Sequence, residues 1–245
     1  MGLKLDERFK LIKEYIENKT VLDIGFCSRG YRSDYRSDGW LHNNIKKYAK
    51  SVFGIDISKE CIEFLRERGY NNVELANAET FNLNQKFDVV VAGELIEHLS
   101  NFQGFFNSVR KHLERDGLLI LTTPNMFYFQ ETLFLVLRGY PPVHPEHTCY
   151  FEEITLRQLL GRFGFSAEKI MYVSEGYTRE EKFELKKMLF RLIENLIPFK
   201  KIRFSYLVIV AKMVDKEEID ENNLSEEIRR ELTNKLYKVL FKRDK

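Results

Sequence analysis

The sequence contains few cysteines, and their arrangement indicates neither a metal site nor a covalent scaffold. Its three cysteines, Cys27, Cys61 and Cys149, are odd in number and show no CxxC spacing. Structural zinc sites place cysteines two to four residues apart, and disulfide-rich domains pair many cysteines within short chains. We therefore predict neither a disulfide framework nor a cysteine-based zinc site, and we expect a reducing, cytoplasmic location.

A charge excess and long apolar runs are also missing. The chain has 39 basic and 37 acidic residues, a net charge of +2, so a global basic field that would attract nucleic acid is not expected. The longest apolar runs, residues 133–137 and 207–211, are too short to span a bilayer. The first residues lack an apolar signal region. These features predict a soluble protein.

Hydrophobic periodicity predicts an alternation of helices and strands over the first two-thirds of the chain. Predicted helices cover residues 5–17, 41–50, 58–69, 102–113 and 154–163, and predicted strands end at 25 and 56 or cover 73–77, 87–92, 118–123, 169–174 and 206–213. Such alternation favours parallel pairing. We predict an α/β fold with a doubly wound, Rossmann-like, mostly parallel sheet, an antiparallel final strand, a helical insertion and a C-terminal helix.

The predicted domain covers residues 1–214, with the inserted helix at about 179–203, and a charged helical tail covers 215–245. In the tail, apolar residues recur every fourth position from Leu224 to Leu240. A solvated charged face and a partner-binding face are both compatible with this pattern.

Polar residues follow several predicted strands at their carboxyl ends. Asp23, Asp56, Asn77 and Glu94 occupy these positions, where doubly wound sheets bind ligands. The pattern suggests a nucleotide-like cofactor. A dinucleotide is a poor match, because the segment from Gly25 to Gly30 keeps only the outer glycines of GxGxxG and Asp56 follows farther downstream than about 20 residues.

Five segments in register resemble the class I S-adenosylmethionine-dependent methyltransferases over residues 18–175. They are VLDIGFCSRG, VFGIDIS, LANAET, FDVVVAGELIEHL and LLILTTPN. The resemblance implies that S-adenosylmethionine is the cofactor, that Gly25 lies by its methionine part and that Asp56 binds the ribose hydroxyls. It places Asn77 and Ala78 at the adenine and Gly93 and Glu94 beneath the transferred methyl. The full set of cofactor-binding residues that it implies is Asp23, Gly25, Phe26, Cys27, Asp56, Ile57, Asn77, Ala78, Glu79, Gly93 and Glu94.

The glycine-rich turn departs from the family pattern. Cys27 and Arg29 fill its second and third glycine positions, and a side chain there disfavours positive φ. Gly30 is expected to provide the flexible point instead. The tandem repeat YRSDYRSD at residues 31–38 follows, and we interpret it as either a solvated loop or a lid over the site.

Two histidines are candidate catalytic bases. Glu94 and His98 are four residues apart and would share one face of a helix, so both could face the crevice. His98 could equally stabilise the start of that helix. His147 lies in an irregular segment after the fifth predicted strand and could close over the same crevice.

Glu94, Glu97, His98 and His147 match in type a Glu-x-x-Glu-His pattern with a later His. This pattern resembles ubiquinone-biosynthesis O-methyltransferases and small-RNA 2′-hydroxyl methyltransferases. That resemblance implies a divalent metal that polarises the acceptor hydroxyl. Metal-independent relatives share the pattern, so the metal ligands stay open.

The acceptor is the least defined part of the prediction. The aromatic and apolar segments 126–129 and 133–137, the inserted helix and the basic residues near 200 could line an apolar pocket, contact a membrane surface or pack onto the sheet. We predict O-methylation of a small-molecule, lipid-like or sugar hydroxyl, with peripheral membrane contact considered and nucleic acid disfavoured. The alternatives are a metal-assisted RNA 2′-O-methyltransferase and a non-catalytic cofactor-binding partner subunit.

Overall fold

The computed structural model describes residues 7–37, 39–140, 144–174, 192–193, 195–214 and 230. Helices lie at Glu7–Ile16 (α1), Tyr31–Asp34 (α2), Leu41–Tyr48 (α3), Lys59–Arg66 (α4), Phe102–His112 (α5), Phe129–Arg138 (α6), Glu153–Arg162 (α7) and Lys200–Arg203 (α8), with a 3-10 turn at Ile96–His98. Strands lie at Thr20–Ile24 (β1), Ser51–Asp56 (β2), Val73–Leu75 (β3), Phe87–Gly93 (β4), Leu113–Pro124 (β5), Phe165–Val173 (β6) and Tyr206–Met213 (β7).

Within the described residues, seven strands form one sheet in the order β3-β2-β1-β4-β5-β7-β6. The five strands from β3 to β5 in this order pair with one another in parallel. The last strand, β7, is antiparallel to both β5 and β6, between which it lies. The predicted doubly wound, mostly parallel sheet with an antiparallel final strand is confirmed.

Alternating residues of the central strands bury opposite faces of the sheet. Val21 of β1 packs in a cluster with Phe9 and Ile12 of α1 and with Ile45 of α3. The next residue, Leu22, belongs to the cluster on the other face, which includes Phe105, Phe106, Leu156 and Leu160 from α5 and α7. Because helices cover both faces, the central strands are mostly apolar, and ligands reach the sheet at the strand ends.

The structure differs from the prediction at two local points. Strand β5 begins at Leu113, directly after α5, rather than at residue 118. The repeat segment is partly helical: α2 covers Tyr31–Asp34, and the rings of Tyr31 and Tyr35 each lie 5.3 Å from the ring of Phe64 in α4. This aromatic packing anchors a segment that the sequence predicted to be either a solvated loop or a lid.

Some predictions lie outside the described residues. These are most of the helical insertion and, apart from Arg230, the helical tail at 215–245. In the described part of the chain, no helix has the length and hydrophobicity needed to cross a membrane.

Candidate functional site

A cavity of about 230 Å³ opens at the carboxyl ends of β1 and β4. The strand order changes direction beside β1, so this is the switch point where doubly wound sheets bind their ligands. Predicted site residues lining the cavity are Asp23, Gly25, Phe26, Cys27, Gly93 and Glu94. The structure therefore brings together the residues that the sequence places after β1 and after β4.

Gly25 makes the turn out of β1 with φ of 72°. A Cβ there would lie 2.9 Å from the side-chain end of Leu95, which would have to shift, and the positive φ disfavours any residue larger than glycine. The expectation that Gly30 provides the flexible point is wrong, because Gly30 has φ of −89°. A short helix begins directly after it, which requires no positive φ.

Asp56 lies at the end of β2 and is held by two backbone N–H groups. Its Oδ2 accepts a hydrogen bond from the N–H of Cys27 at 2.9 Å, and its Oδ1 accepts one from Ser58 at 2.8 Å. Burial raises the pKa of the Asp56 carboxyl, and the two N–H groups oppose that rise. Asp56 does not itself line the cavity, but the N–H of Cys27, which does, donates to the Asp56 carboxylate.

Four further residues predicted to bind the cofactor, including Asn77 and Ala78 at the adenine, do not line the cavity. Ile57 is 72% exposed, and Ala78 is buried in the core. Asn77 Oδ1 accepts a hydrogen bond from the N–H of Glu79 at 2.8 Å. The carboxylate of Glu79 accepts hydrogen bonds from the N–H groups of Ser100 and Asn101, so it organises the start of α5 instead of facing the cavity.

The sequence prediction missed Arg8 of α1, which also lines the cavity. Its guanidinium lies 3.2 Å from Glu94 Oε1, which accepts a further hydrogen bond from the Thr122 hydroxyl at 2.9 Å. Glu94 has φ of 51°, uncommon for a residue with a side chain and associated with functional sites. Arg8 precedes the first family segment, which explains why motif matching did not find it.

The prediction also missed Trp40 and His42, on the other side of the cavity. His42 Nδ1 lies 2.8 Å from Asp23 Oδ2, and both side chains are buried. Burial raises the pKa of Asp23, and the contact with His42 lowers it in part. The indole N–H of Trp40 donates to the carbonyl of Phe26 at 2.8 Å. A buried acid at a strand end is the signal that could have prompted a search for such a partner.

A second cluster contains Glu97, His98 and His147, each with a ligand-type atom within 4.8 Å of the others. The rings of His98 and His147 lie 4.7 Å apart, and His144 lies 5.0 Å from His147. The Nδ1 of His98 lies 3.2 Å from the backbone carbonyl of Glu146, to which it donates. The other ring nitrogen of His98 is then the one able to accept a proton or bind a metal.

Glu97 is almost completely buried beneath the two histidines. Its Oε2 accepts a hydrogen bond from the Thr123 hydroxyl at 3.0 Å, while its Oε1 has no hydrogen-bond partner among the described residues. Burial and the negative charge of Glu94 raise the pKa of Glu97 to about 8. Burial and the neighbouring His98 lower the pKa of His147, so His147 tends to be neutral.

Glu94 and His98 do not share a helical face, contrary to the sequence prediction. Only Ile96–His98 forms a helical turn, and the backbone reverses at Glu94 before that turn begins. Glu94 pairs with Arg8 in the cavity, while His98 joins His147. Of the four residues that match the Glu-x-x-Glu-His pattern and its later His, only Glu97, His98 and His147 lie together.

The sequence predicted no disulfide framework and gave no indication that Cys27 and Cys61 pair. The structure contains a disulfide between them, with Cα atoms 6.4 Å apart, and Cys149 as a free cysteine. The two residues are 34 positions apart in sequence, and the turn after β1 and the first turn of α4 bring them together. Counting cysteines could not reveal this proximity, because it depends on strands β1 and β2 being neighbours.

Comparisons with known proteins match both the fold and the site region. A family model described as "Methyltransferase domain" matches residues 6–170. Among curated relatives, a malonyl-[acyl-carrier protein] O-methyltransferase of Acetivibrio thermocellus is 32% identical over 117 residues, covering 46% of this chain and 38% of that protein. A ubiquinone biosynthesis O-methyltransferase of Pelagibacter ubique is 29% identical over 115 residues, covering 45% and 44%. The chain spans less than half the length of these two relatives.

Solved structures resemble the whole fold. A putative methyltransferase from Bacillus halodurans superposes with a TM-score of 0.57 at 16% identity, covering 85% of this chain and 99% of that one. An O-methyltransferase of a Brevibacillus brevis polyketide synthase, in complex with S-adenosyl-L-homocysteine, gives a TM-score of 0.51 at 18% identity, covering 97% and 86%. At such identities the likeness establishes the fold alone.

Proposed function

Because this chain belongs to the methyltransferase-domain family, as a class I S-adenosylmethionine-dependent methyltransferase, we propose that it methylates a hydroxyl oxygen of a small molecule. The observation that carries this proposal is the His98–His147 pair, in which His98 follows the cavity residue Glu94 by four positions in the chain. A hydroxyl is a poor nucleophile until it loses its proton, and a neutral imidazole close to the methyl donor is suited to remove it.

We assign the methionine end of the cofactor to the cavity and the ribose to Asp56. The cavity presents a guanidinium from Arg8 and a carboxylate from Glu94, charges that complement the zwitterionic amino-acid end of the cofactor. The turn at Gly25 lets backbone approach a ligand closely. Asp56 accepts hydrogen bonds from Cys27 and Ser58 and keeps lone pairs for ribose hydroxyls.

His98 and His147 are the proposed bases. Methyl transfer is a displacement in which the acceptor oxygen attacks the methyl carbon opposite the sulfur, so alignment and proton removal are the tasks of the protein. The bond from His98 Nδ1 to the Glu146 carbonyl fixes the ring and leaves its other nitrogen to accept the proton. The lowered pKa of His147 keeps that ring uncharged near neutral pH.

A divalent metal fits the second cluster. Glu97 Oε1 is buried with no hydrogen-bond partner among the residues described, and two imidazoles lie within reach of it. Glu97, His98 and His147 would hold the ion, an oxygen and nitrogen set that suits several divalent cations. When bound, the metal would occupy the lone pairs of both imidazoles, so these residues would serve as ligands in place of bases, and the metal would lower the pKa of the acceptor hydroxyl. Glu94 is left out of this set, because it pairs with Arg8.

The finer identity of the acceptor rests on the surface around residues 126–138. Met126 and Phe127 are half exposed, and Val136 and Leu137 of α6 are more than 70% exposed. This apolar surface favours a lipid-like acceptor over a sugar and is suited to peripheral contact with a membrane. The described residues contain no feature that specifically favours the RNA acceptor or the non-catalytic alternative.

The experiment is transfer of labelled methyl from S-adenosylmethionine to a panel of small acceptors, with alkali treatment of the products. Methyl ethers of hydroxyl groups resist alkali, whereas methyl esters release methanol. Alkali-stable label on hydroxylated acceptors that is absent from matched amines and carboxylic acids supports the proposal. Label on amines, or label lost in alkali, would contradict it.

A further inference from the structure

The described residues include one disulfide, and it joins the two segments that hold the carboxylate proposed to bind ribose. Cys27 lies in the turn after β1 and lines the cavity. Cys61 lies in the first turn of α4 and does not line the cavity. The function proposed above does not use this bond.

The disulfide closes a ring of contacts around Asp56. The Cys27 N–H donates to Asp56 Oδ2, and the Ser58 N–H donates to Asp56 Oδ1. The Ser58 hydroxyl in turn accepts the N–H of Cys61, at 3.3 Å. The Sγ atoms of Cys61 and Cys27 complete the ring. The position of Cys27 relative to Asp56 is therefore fixed from both its backbone and its side chain.

We propose that the Cys27–Cys61 pair is a redox-sensitive site that controls cofactor affinity, the disulfide form being the tight-binding state. This proposal rests on placing the cofactor at the cavity and Asp56. The turn has Cys27 and Arg29 where the family pattern has glycines, and the disulfide holds Cys27 in the arrangement that forms the cavity. With the disulfide formed, the turn is ordered before the cofactor binds. Without it, the turn has to be ordered on binding, and the conformational entropy lost in that ordering weakens the affinity for the cofactor.

Reduction proceeds by thiol–disulfide exchange with a dithiol. A thiolate of the dithiol attacks one sulfur, the Cys27–Cys61 bond breaks, and a mixed disulfide forms. The second thiol of the reductant then attacks the mixed disulfide and forms a disulfide within the reductant. Two electrons and two protons have then passed to the protein, in which Cys27 and Cys61 are thiols. Cys61 is fully buried and Cys27 is partly exposed at the cavity, so the attack reaches the Cys27 sulfur first. A bound cofactor should shield that sulfur.

The test measures binding of S-adenosylhomocysteine by calorimetry in oxidised protein and in protein reduced with dithiothreitol. We expect the dissociation constant to rise about tenfold on reduction, comparable to the cost of ordering one residue. By reciprocity, saturating S-adenosylhomocysteine should lower the reduction potential of the pair by about 30 mV. Alkylation in denaturant, followed by mass spectrometry, should find one reactive thiol, that of Cys149, in the oxidised protein and three after reduction.

Two variants separate the disulfide from general effects of reductant. Cys61→Ala removes the bond without changing a cavity-lining residue, and it should bind like reduced wild type in both conditions. Cys149→Ser keeps the pair, and it should keep the tenfold difference. Equal affinities of oxidised and reduced wild type, or three reactive thiols after exposure to oxidant, would overturn the redox proposal alone. Failure of both forms to bind S-adenosylhomocysteine would overturn the cofactor assignment and this proposal with it.

Discussion

Replacing Asp56 by Asn keeps the shape of the side chain and removes its charge. The carboxylate accepts N–H groups on both oxygens, from Cys27 at 2.9 Å and from Ser58 at 2.8 Å. An amide has one oxygen, so its NH₂ group would face one of these donors. It would also offer ribose hydroxyls one neutral acceptor where the carboxylate offers two charged ones.

A hydrogen bond to a charged group contributes about 1.5–3 kcal/mol. Losing one bond and weakening another should cost about 3 kcal/mol, or on the order of 100-fold in the dissociation constant of S-adenosylhomocysteine. Asp88→Asn is the matched control, because Asp88 Oδ2 also accepts two hydrogen bonds, both from Thr20, at the opposite end of β1 and β4. Calorimetry showing Asp56→Asn within threefold of wild type, or Asp88→Asn equally weakened, would refute the ribose assignment.

Four further outcomes are expected. His98→Ala should lower kcat about 100-fold or more and leave the dissociation constant of S-adenosylhomocysteine within twofold, because the ring is proposed to act on the acceptor; a parallel loss of affinity would indicate a structural role. If Glu97, His98 and His147 hold a metal, a chelator should abolish turnover and a divalent cation restore it, and chelator-resistant activity would exclude that metal. His42→Ala leaves buried Asp23 without its partner, so the free energy of unfolding in urea should fall by about 3 kcal/mol, and no change would contradict the pairing. Hydrogen bonds from Thr20 lower the pKa of Asp88 in the folded protein. The stability that Asp88 contributes is therefore present above its unfolded pKa of about 3.9 and is lost as pH falls through its folded pKa. Asp88→Asn should accordingly be less stable than wild type at pH 7 and equal to it in strong acid, as measured by urea unfolding at both pH values.

The fold could be predicted from the sequence because each central strand is short, apolar and followed by a turn signal. The strand ending at Asp56 and the strand 206–213 match the observed β2 and β7 closely. The observed start of β5 at Leu113 could not be read, because Glu114, Arg115 and Asp116 interrupt the apolar pattern with charges that the strand leaves exposed.

The candidate site could be predicted where a sequence motif and the strand that positions it belong to the same segment of the chain. Gly25, Gly93 and Glu94 line the cavity because each lies at the carboxyl end of a parallel strand. Arg8 reaches the cavity from a helix packed against the sheet, and Cys61 meets Cys27 across two neighbouring strands. These contacts depend on how distant segments pack, so one sequence read by local pattern does not reveal them.

Transfer of labelled methyl from S-adenosylmethionine by wild type and by His98→Ala tests the central claim most directly. The reaction is run on cell extract separated into small-molecule, lipid, glycan, RNA and protein fractions. The account predicts alkali-stable label in the small-molecule or lipid fraction with wild type, and its loss in the variant despite unchanged binding of S-adenosylhomocysteine. Label confined to RNA or protein, or label equal in the two enzymes, would contradict it.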